Sequence, residues 1–167
     1  MANVLRQGTT TIKNAAIEPH VMNLIDMLRS AGADIKIRYD HSIIITGVET
    51  LETNVEATII PDYIEAGTFM IIGALAAKEY IDIHHAAISD LYSFISCLQQ
   101  AGVKVEEKDT DILRVYRAKK LLPTSIQTNI FPGFPTDLQS PLSVLMTQAE
   151  GTGRIHEVLF EGRLNFL

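Results

Sequence analysis

The sequence predicts a mixed α/β (α+β) protein built from repeated β-α-β-α-β-β units, one copy complete and two partial. Three observations predict it. A helical stripe of apolar residues recurs 70 positions later. Each striped helix runs into two alternating strands around a short polar turn. A weaker echo, offset by about 74 residues, twice sets a helix between two strands.

Val21, Leu24, Ile25 and Leu28 sit at i, i+3, i+4 and i+7, one face of a helix, and Leu91, Phe94, Ile95 and Leu98 repeat that face. Glu18-Pro19 opens the first of these helices, with proline at the position that tolerates it. Both helices run out at a glycine, Gly32 and Gly102, which suits the left-handed residue past a helix end. Ile35 and Ile37, like Val103 and Val105, then alternate with polar residues, as strands with one buried face do. Polar turns at 39–42 and 108–111 lead into second strands, 43–45 and 112–115. The helix of the second copy is expected over 89–101.

In the weaker echo, Asp62-Tyr63-Ile64-Glu65 opens a helix that runs through Ala77, in which Gly67 and Gly73 point to close packing. Asp137-Leu138-Gln139 opens another through Ala149, with Pro141 in its first turn. Strands are expected before them at 55–60 and 125–130, and after them at 80–84 and 154–159. Residues 55–117 then spell the whole unit, 9–48 the later part of one, and 124–167 the opening of another. Repeat units bury their faces against neighbouring copies. A chain that stops just after a strand, at Phe166-Leu167, reads as a piece of something larger. Its uncovered edges and apolar faces predict self-association.

Composition bounds the function. Hydrophobic residues are 47% and charged residues 20%, enough for a folded core, which excludes disordered and fibrous classes. Lys+Arg 14 against Asp+Glu 20 gives a net charge of −6, the wrong sign for gripping nucleic acid or an anionic membrane by bulk charge. The one cysteine excludes an intramolecular disulfide framework and a Cys-based zinc site. Cys97 lies inside an amphipathic helix with no basic neighbour, the setting of a structural thiol rather than a nucleophile. His84 and His85 point to opposite faces of a strand end, and His20, His41 and His156 have no metal-ligand spacing. No Walker loop and no G-x-G-x-x-G occurs. The start has no signal-peptide apolar core, and the nearly uncharged stretch 66–77 falls short of the roughly 20 residues a membrane span needs. The expectation is a soluble, cytoplasmic protein.

One string carries chemistry, Phe131-Pro132-Gly133-Phe134-Pro135-Thr136-Asp137. Two prolines and a glycine fix a tight path from strand to helix and land Asp137 at a helix N-terminus. Two roles fit that carboxylate: a rigidly held general base, or an N-cap. Arg163, in Phe160-Glu161-Gly162-Arg163, likewise fits a phosphate- or carboxylate-binding fork, or a surface ion pair with Glu161 or Glu157.

Several strings, in order along nearly the whole chain, resemble the bacterial enolpyruvyl transferases. They are Asn14-Ala15-Ala16-Ile17-Glu18-Pro19-His20-Val21, Pro61-Asp62-Tyr63-Ile64-Glu65-Ala66-Gly67-Thr68-Phe69, Pro132-Gly133-Phe134-Pro135-Thr136-Asp137-Leu138-Gln139, Glu150-Gly151-Thr152-Gly153 and Phe160-Glu161-Gly162-Arg163. The likeness is closest to the members that act on a UDP-sugar. It implies a larger two-domain enzyme, each domain an inside-out α/β barrel of three β-α-β-α-β-β units. Residues 1–52 would end the first domain and 53–167 would form the first half of the second. It implies transfer of the enolpyruvyl group of phosphoenolpyruvate to the 3-hydroxyl of UDP-N-acetylglucosamine, a step of peptidoglycan synthesis, with neither cofactor nor metal.

Carried over position by position, the resemblance makes Asp137 the general base that binds the sugar hydroxyl, with Thr136 beside it. Leu159 and Phe160 match positions whose backbone touches the sugar nucleotide, Arg163 matches an active-site arginine, and Glu18 matches a carboxylate near the sugar. Three departures bear on activity. Tyr63 stands where the family has arginine, and the family's reactive cysteine loop and C-terminal arginine segment have no counterpart here. The chain alone is therefore expected not to turn over. Two other readings stay open: a transferase acting on 3-phosphoshikimate, and a non-catalytic paralogue serving as a binding module.

Overall fold

Strands and helices alternate through the computed structural model, which describes residues 1–166. In order they are β1 (Thr9–Ile12), α1 (Pro19–Ser30), β2 (Asp34–Arg38), β3 (Ser42–Thr46), α2 (Tyr63–Ala76), β4 (Tyr80–Ile83), α3 (Tyr92–Gln100), β5 (Val105–Asp109), β6 (Ile112–Tyr116), β7 (Ser125–Gln127), α4 (Gln139–Met146) and β8 (Arg154–His156). Short 3₁₀ turns precede α3 and α4. The chain divides into two compact units, Met1–Ile60 and Pro61–Leu167. None of its described helices is long and apolar enough to cross a membrane.

In the first unit β1-β3-β2 form an antiparallel sheet. Ile35, Ile43 and Ile45 from the sheet and Ile25 and Leu28 from α1 close a small core with Val4 and Ala33. Gly32 takes φ +94 past the end of α1, as its place in the sequence requires. Leu24 departs from the expected stripe and is 36% exposed. This unit has one helix, so α1 is met on its sheet side alone. In the second copy the whole stripe is buried, Leu91, Phe94 and Leu98 completely.

The expected strand over 55–60 does not form. Its peptide groups are answered by a side chain instead of a partner strand: Asn23 Nδ2 donates to the Thr58 carbonyl at 3.0 Å, and the Ile60 N–H donates to Asn23 Oδ1 at 3.4 Å. Ile59 is 78% exposed, so the segment has no buried face to hold a ladder. The middle copy is thus seen as helix-strand-helix-strand-strand.

In the second unit β4-β6-β5 repeat the antiparallel topology of the first sheet, and β7 pairs with β8 in parallel. Asp82 and Arg114 face each other across β4 and β6 and bond bidentately at 2.7 Å, with the guanidinium over the Tyr80 ring. One core joins Met70 and Ala74 of α2, Phe94 and Leu98 of α3, Leu113 and Val115 of β6, and Leu142 and Leu145 of α4. Asp62 caps α2 by accepting from the N–H groups of Ile64 at 2.8 Å and Glu65 at 3.4 Å. Both helix glycines are close-approach sites: a Cβ on Gly73 would meet Ile81 at 2.7 Å, and one on Gly67 would meet Leu138 at 2.6 Å. Gly67 thereby lets the turn that carries Asp137 lie directly on α2.

Two further strands are shorter than expected. β7 stops at Gln127 because the chain folds back on itself: Asn129 N–H bonds the Phe134 carbonyl at 2.9 Å and Gly133 N–H bonds the Ile130 carbonyl at 2.8 Å, around a cis Phe131-Pro132 peptide. β8 stops at His156 because later N–H groups turn to side chains, Val158 to Thr128 Oγ1 at 3.1 Å and Leu159 and Phe160 to Glu157 Oε1.

Candidate active site

The fold-back at 129–134 is clamped to the core. Phe134 is buried, its ring 5.7 Å from that of Phe94, and Ser93 Oγ donates to the Gly133 carbonyl at 3.0 Å. Tyr63, which replaces the arginine of the family pattern, is buried with its ring edge-on to Phe131 at 6.5 Å. α2 and α3 thus hold the loop from two sides. Thr136 and Asp137 then enter the 3₁₀ turn anchored by fully buried Leu138.

Asp137 is not an N-cap. Pro135 occupies the cap position, and the turn has no side-chain cap bond. The carboxylate bonds the Arg163 guanidinium, 26 residues away. Arg163 correspondingly pairs with neither Glu161 nor Glu157, because the turn after β8 swings it to Asp137. The Asp137 side chain remains 56% exposed. It is held by an arginine yet open to a substrate.

Glu157 organises the rest, a residue that the sequence reading named only as a possible ion-pair partner. Its Oε1 accepts from Thr128 Oγ1 at 2.8 Å, Leu159 N–H at 2.8 Å and Phe160 N–H at 3.2 Å. Its Oε2 accepts from Thr136 Oγ1 at 2.6 Å and Gln139 Nε2 at 3.4 Å. One carboxylate therefore ties the residue that follows β7, the Asp137 turn, α4 and the segment after β8. Since the Leu159 and Phe160 N–H groups are spent on Glu157, that segment offers a ligand its carbonyls and the exposed Phe160 ring.

Five of the six expected site residues thus converge: Thr136, Asp137, Leu159, Phe160 and Arg163. Glu18 lies in the first unit at the N-cap of α1, where its carbonyl accepts from Val21 and Met22. Its Oε2 is buried with no hydrogen-bond partner among the described residues. Cys97 is structural: burial pushes its thiol up to about 11, against a smaller effect of Thr124. No cluster of three metal-ligating side chains occurs among the described residues.

Glu157 makes the site acid-sensitive. Partial burial works to raise its pKa, but bonds from Thr136, Leu159, Thr128 and Phe160 outweigh that and hold it below the ordinary carboxylate range. A depressed folded-state pKa stabilises above the unfolded value, about 4.3, and that contribution is lost as pH falls through the folded value. Wild type should therefore melt above Glu157→Gln at pH 6, with the gap closing towards pH 3. A gap constant with pH in paired melting curves would contradict this.

The profile of the EPSP synthase (3-phosphoshikimate 1-carboxyvinyltransferase) family matches residues 1–166. The chain belongs to the EPSP synthase family. Among relatives, this family member is 41% identical over its full length to UDP-N-acetylglucosamine 1-carboxyvinyltransferase 2 of Bacillus subtilis, covering 38% of that protein. It is 42% identical over 164 residues to UDP-N-acetylglucosamine 1-carboxyvinyltransferase of Trichormus variabilis, covering 36% of it. Its structure is similar to the enolpyruvyl transferase NikO of Streptomyces tendae, with TM-score 0.86 and 29% identity over 98% of this chain and 39% of that one. EPSP synthase of Acinetobacter baumannii, at TM-score 0.52 and 21% identity, shares the fold. The chain therefore spans well under half the length of the relatives it matches.

Proposed function

We propose that this chain is the part of an enolpyruvyl transferase that seats UDP-N-acetylglucosamine and supplies the general base. Residues 1–52 end one domain and 53–167 begin the next. The observation that carries this reading is the Asp137–Arg163 pair: a half-exposed carboxylate on a loop clamped by Phe94, Ser93 and Tyr63. Identities of 41–42% with enzymes named for the UDP-sugar support that acceptor over 3-phosphoshikimate.

In this reading Asp137 accepts the proton of the sugar 3-hydroxyl as its oxygen bonds the enol carbon of phosphoenolpyruvate, whose C=C bond opens while the methylene carbon takes a proton from an acid outside this segment. The methylene carbon then gives up a proton, the C=C bond re-forms, the enol carbon's bond to the phosphate oxygen breaks, and phosphate leaves. Arg163 fixes the carboxylate's orientation, so that the base is in place before the sugar arrives. Thr136 is held by Glu157 beside it, the carbonyls of Leu159 and Phe160 face the sugar nucleotide, and the unpartnered Oε2 of Glu18 is an acceptor for a substrate donor. The protein resides in the cytoplasm, where both substrates are, and exposed Phe69 and Ile72 on α2 promote self-association. A strictly monomeric mass in light scattering would remove that last element.

Phosphate release is the test. A full-length enzyme containing this segment should release phosphate from phosphoenolpyruvate only with UDP-N-acetylglucosamine, and the 167-residue chain alone should release none above buffer. Release with 3-phosphoshikimate instead would overturn the choice of acceptor. Turnover by the chain alone would overturn its reading as a part.

A further inference from the structure

The segments that lead into β4 and β5 and out of β6 border an open cleft of about 1060 Å³ that takes no part in the Asp137 site. Lys78, Lys104, Arg117, Lys119 and Lys120 line it, against one acid, Glu79. Five of the chain's 14 cationic side chains thus gather at one cleft of a protein whose net charge is −6. We propose that it is a binding site for a small molecule bearing two or more phosphate groups.

The charge is not answered internally. Lys104 is neutralised by Glu106 at 2.6 Å and lies over the Tyr116 ring. Lys78, Arg117, Lys119 and Lys120 have no carboxylate within ion-pairing distance among the described residues; Arg117 reaches only the Ala77 carbonyl, at 3.5 Å. With Glu79 counted, three positive charges remain uncompensated, and clustered like charges repel unless an anion joins them.

The site is also built on a fixed frame. The strap after β6 is tied down by Arg117 N–H to the Glu79 carbonyl at 2.8 Å, Ala118 N–H to Ala74 at 2.9 Å and Leu122 N–H to Ala101 at 2.9 Å. It lies so close to Gly102, at φ +87, that a Cβ there would meet the Lys120 carbonyl at 2.8 Å. The cations are thus presented from a backbone that is already ordered, which lowers the entropy cost of binding. A smaller adjoining cavity of about 300 Å³ shares Arg117, Lys119 and Lys120 and adds Gln148 and Glu150. The volumes suit a nucleotide-sized ligand. The overall negative charge disfavours a long polyanion, whose field would meet the acidic remainder of the surface.

Inorganic tripolyphosphate is the probe, titrated calorimetrically into the 167-residue chain at low salt. Saturable one-site binding is expected, weakened at least tenfold in Lys119→Gln/Lys120→Gln with the melting temperature unchanged. Lys36→Gln/Arg38→Gln on β2 loses the same net charge and should bind within twofold of wild type. Lack of saturable binding overturns the proposal, as does equal loss in the β2 variant, which would reduce the effect to bulk charge. Tighter, length-dependent binding of single-stranded oligonucleotides would replace a small-molecule site with a nucleic-acid surface. The outcome is independent of enolpyruvyl transfer, since no lining residue belongs to the Asp137 site.

Discussion

Replacing Asp137 with alanine in the full-length enzyme is expected to lower kcat by about 10²–10⁴, the loss typical of a general base. Stability should hardly change. The side chain is 56% exposed, caps no helix, and its bond to Arg163 is a surface ion pair worth about 0–1 kcal/mol. The backbone around it is held elsewhere, by Leu138 against Gly67 and by Phe134 against Phe94. Phosphate-release kinetics and a melting curve on the same preparation separate the two contributions. Activity within tenfold of wild type would remove Asp137 from the chemistry.

The largest loss of stability is expected from Phe94→Ala. Phe94 is completely buried at the junction of α3, the core and the fold-back loop. Removing a buried ring costs about 3–5 kcal/mol, a large part of the roughly 5–15 kcal/mol that holds a domain together. At 150–250 residues this lowers Tm by roughly 6–20 °C. The same substitution frees one face of Phe134, so that the loop ahead of Asp137 loses its clamp. A double-mutant cycle with Phe134→Leu should show coupling of about 0.5–1.5 kcal/mol beyond area burial. A melting point within 2 °C of wild type would refute the anchoring role, on the same scale of about 2–4 °C per kcal/mol.

Much of this was legible in the residues because it depends on near neighbours along the chain. The Leu91, Phe94, Ile95 and Leu98 stripe describes which side of one helix avoids water, whatever covers it. Gly32 and Gly102 answer a local backbone need, and both take positive φ. Gly67 and Gly73 announced close approach, though not the partners, Leu138 and Ile81. The string from Pro132 to Gln139 marked the family and the carboxylate.

What the residues could not show is where the polar side chains find partners. That Asp137 caps no helix could not be read from its neighbours, because its carboxylate is taken by Arg163, 26 positions on. Glu157 has no local pattern, because its donors come from Thr128, Thr136, Gln139, Leu159 and Phe160, brought together only once β7 pairs with β8 and α4 folds back. The extended 55–60 segment reads as a strand by propensity, yet Asn23 takes its peptide groups and no ladder forms. Leu24 belongs to a perfect stripe, and only the number of elements around α1 leaves it exposed. By itself the sequence determined the helices, the hairpins, the repeat and the family, because burial periodicity is encoded within a few residues. The tertiary structure alone decided the carboxylate network and the basic cleft, because a hydrogen bond or an ion pair depends on distances across chain separations that no local pattern encodes.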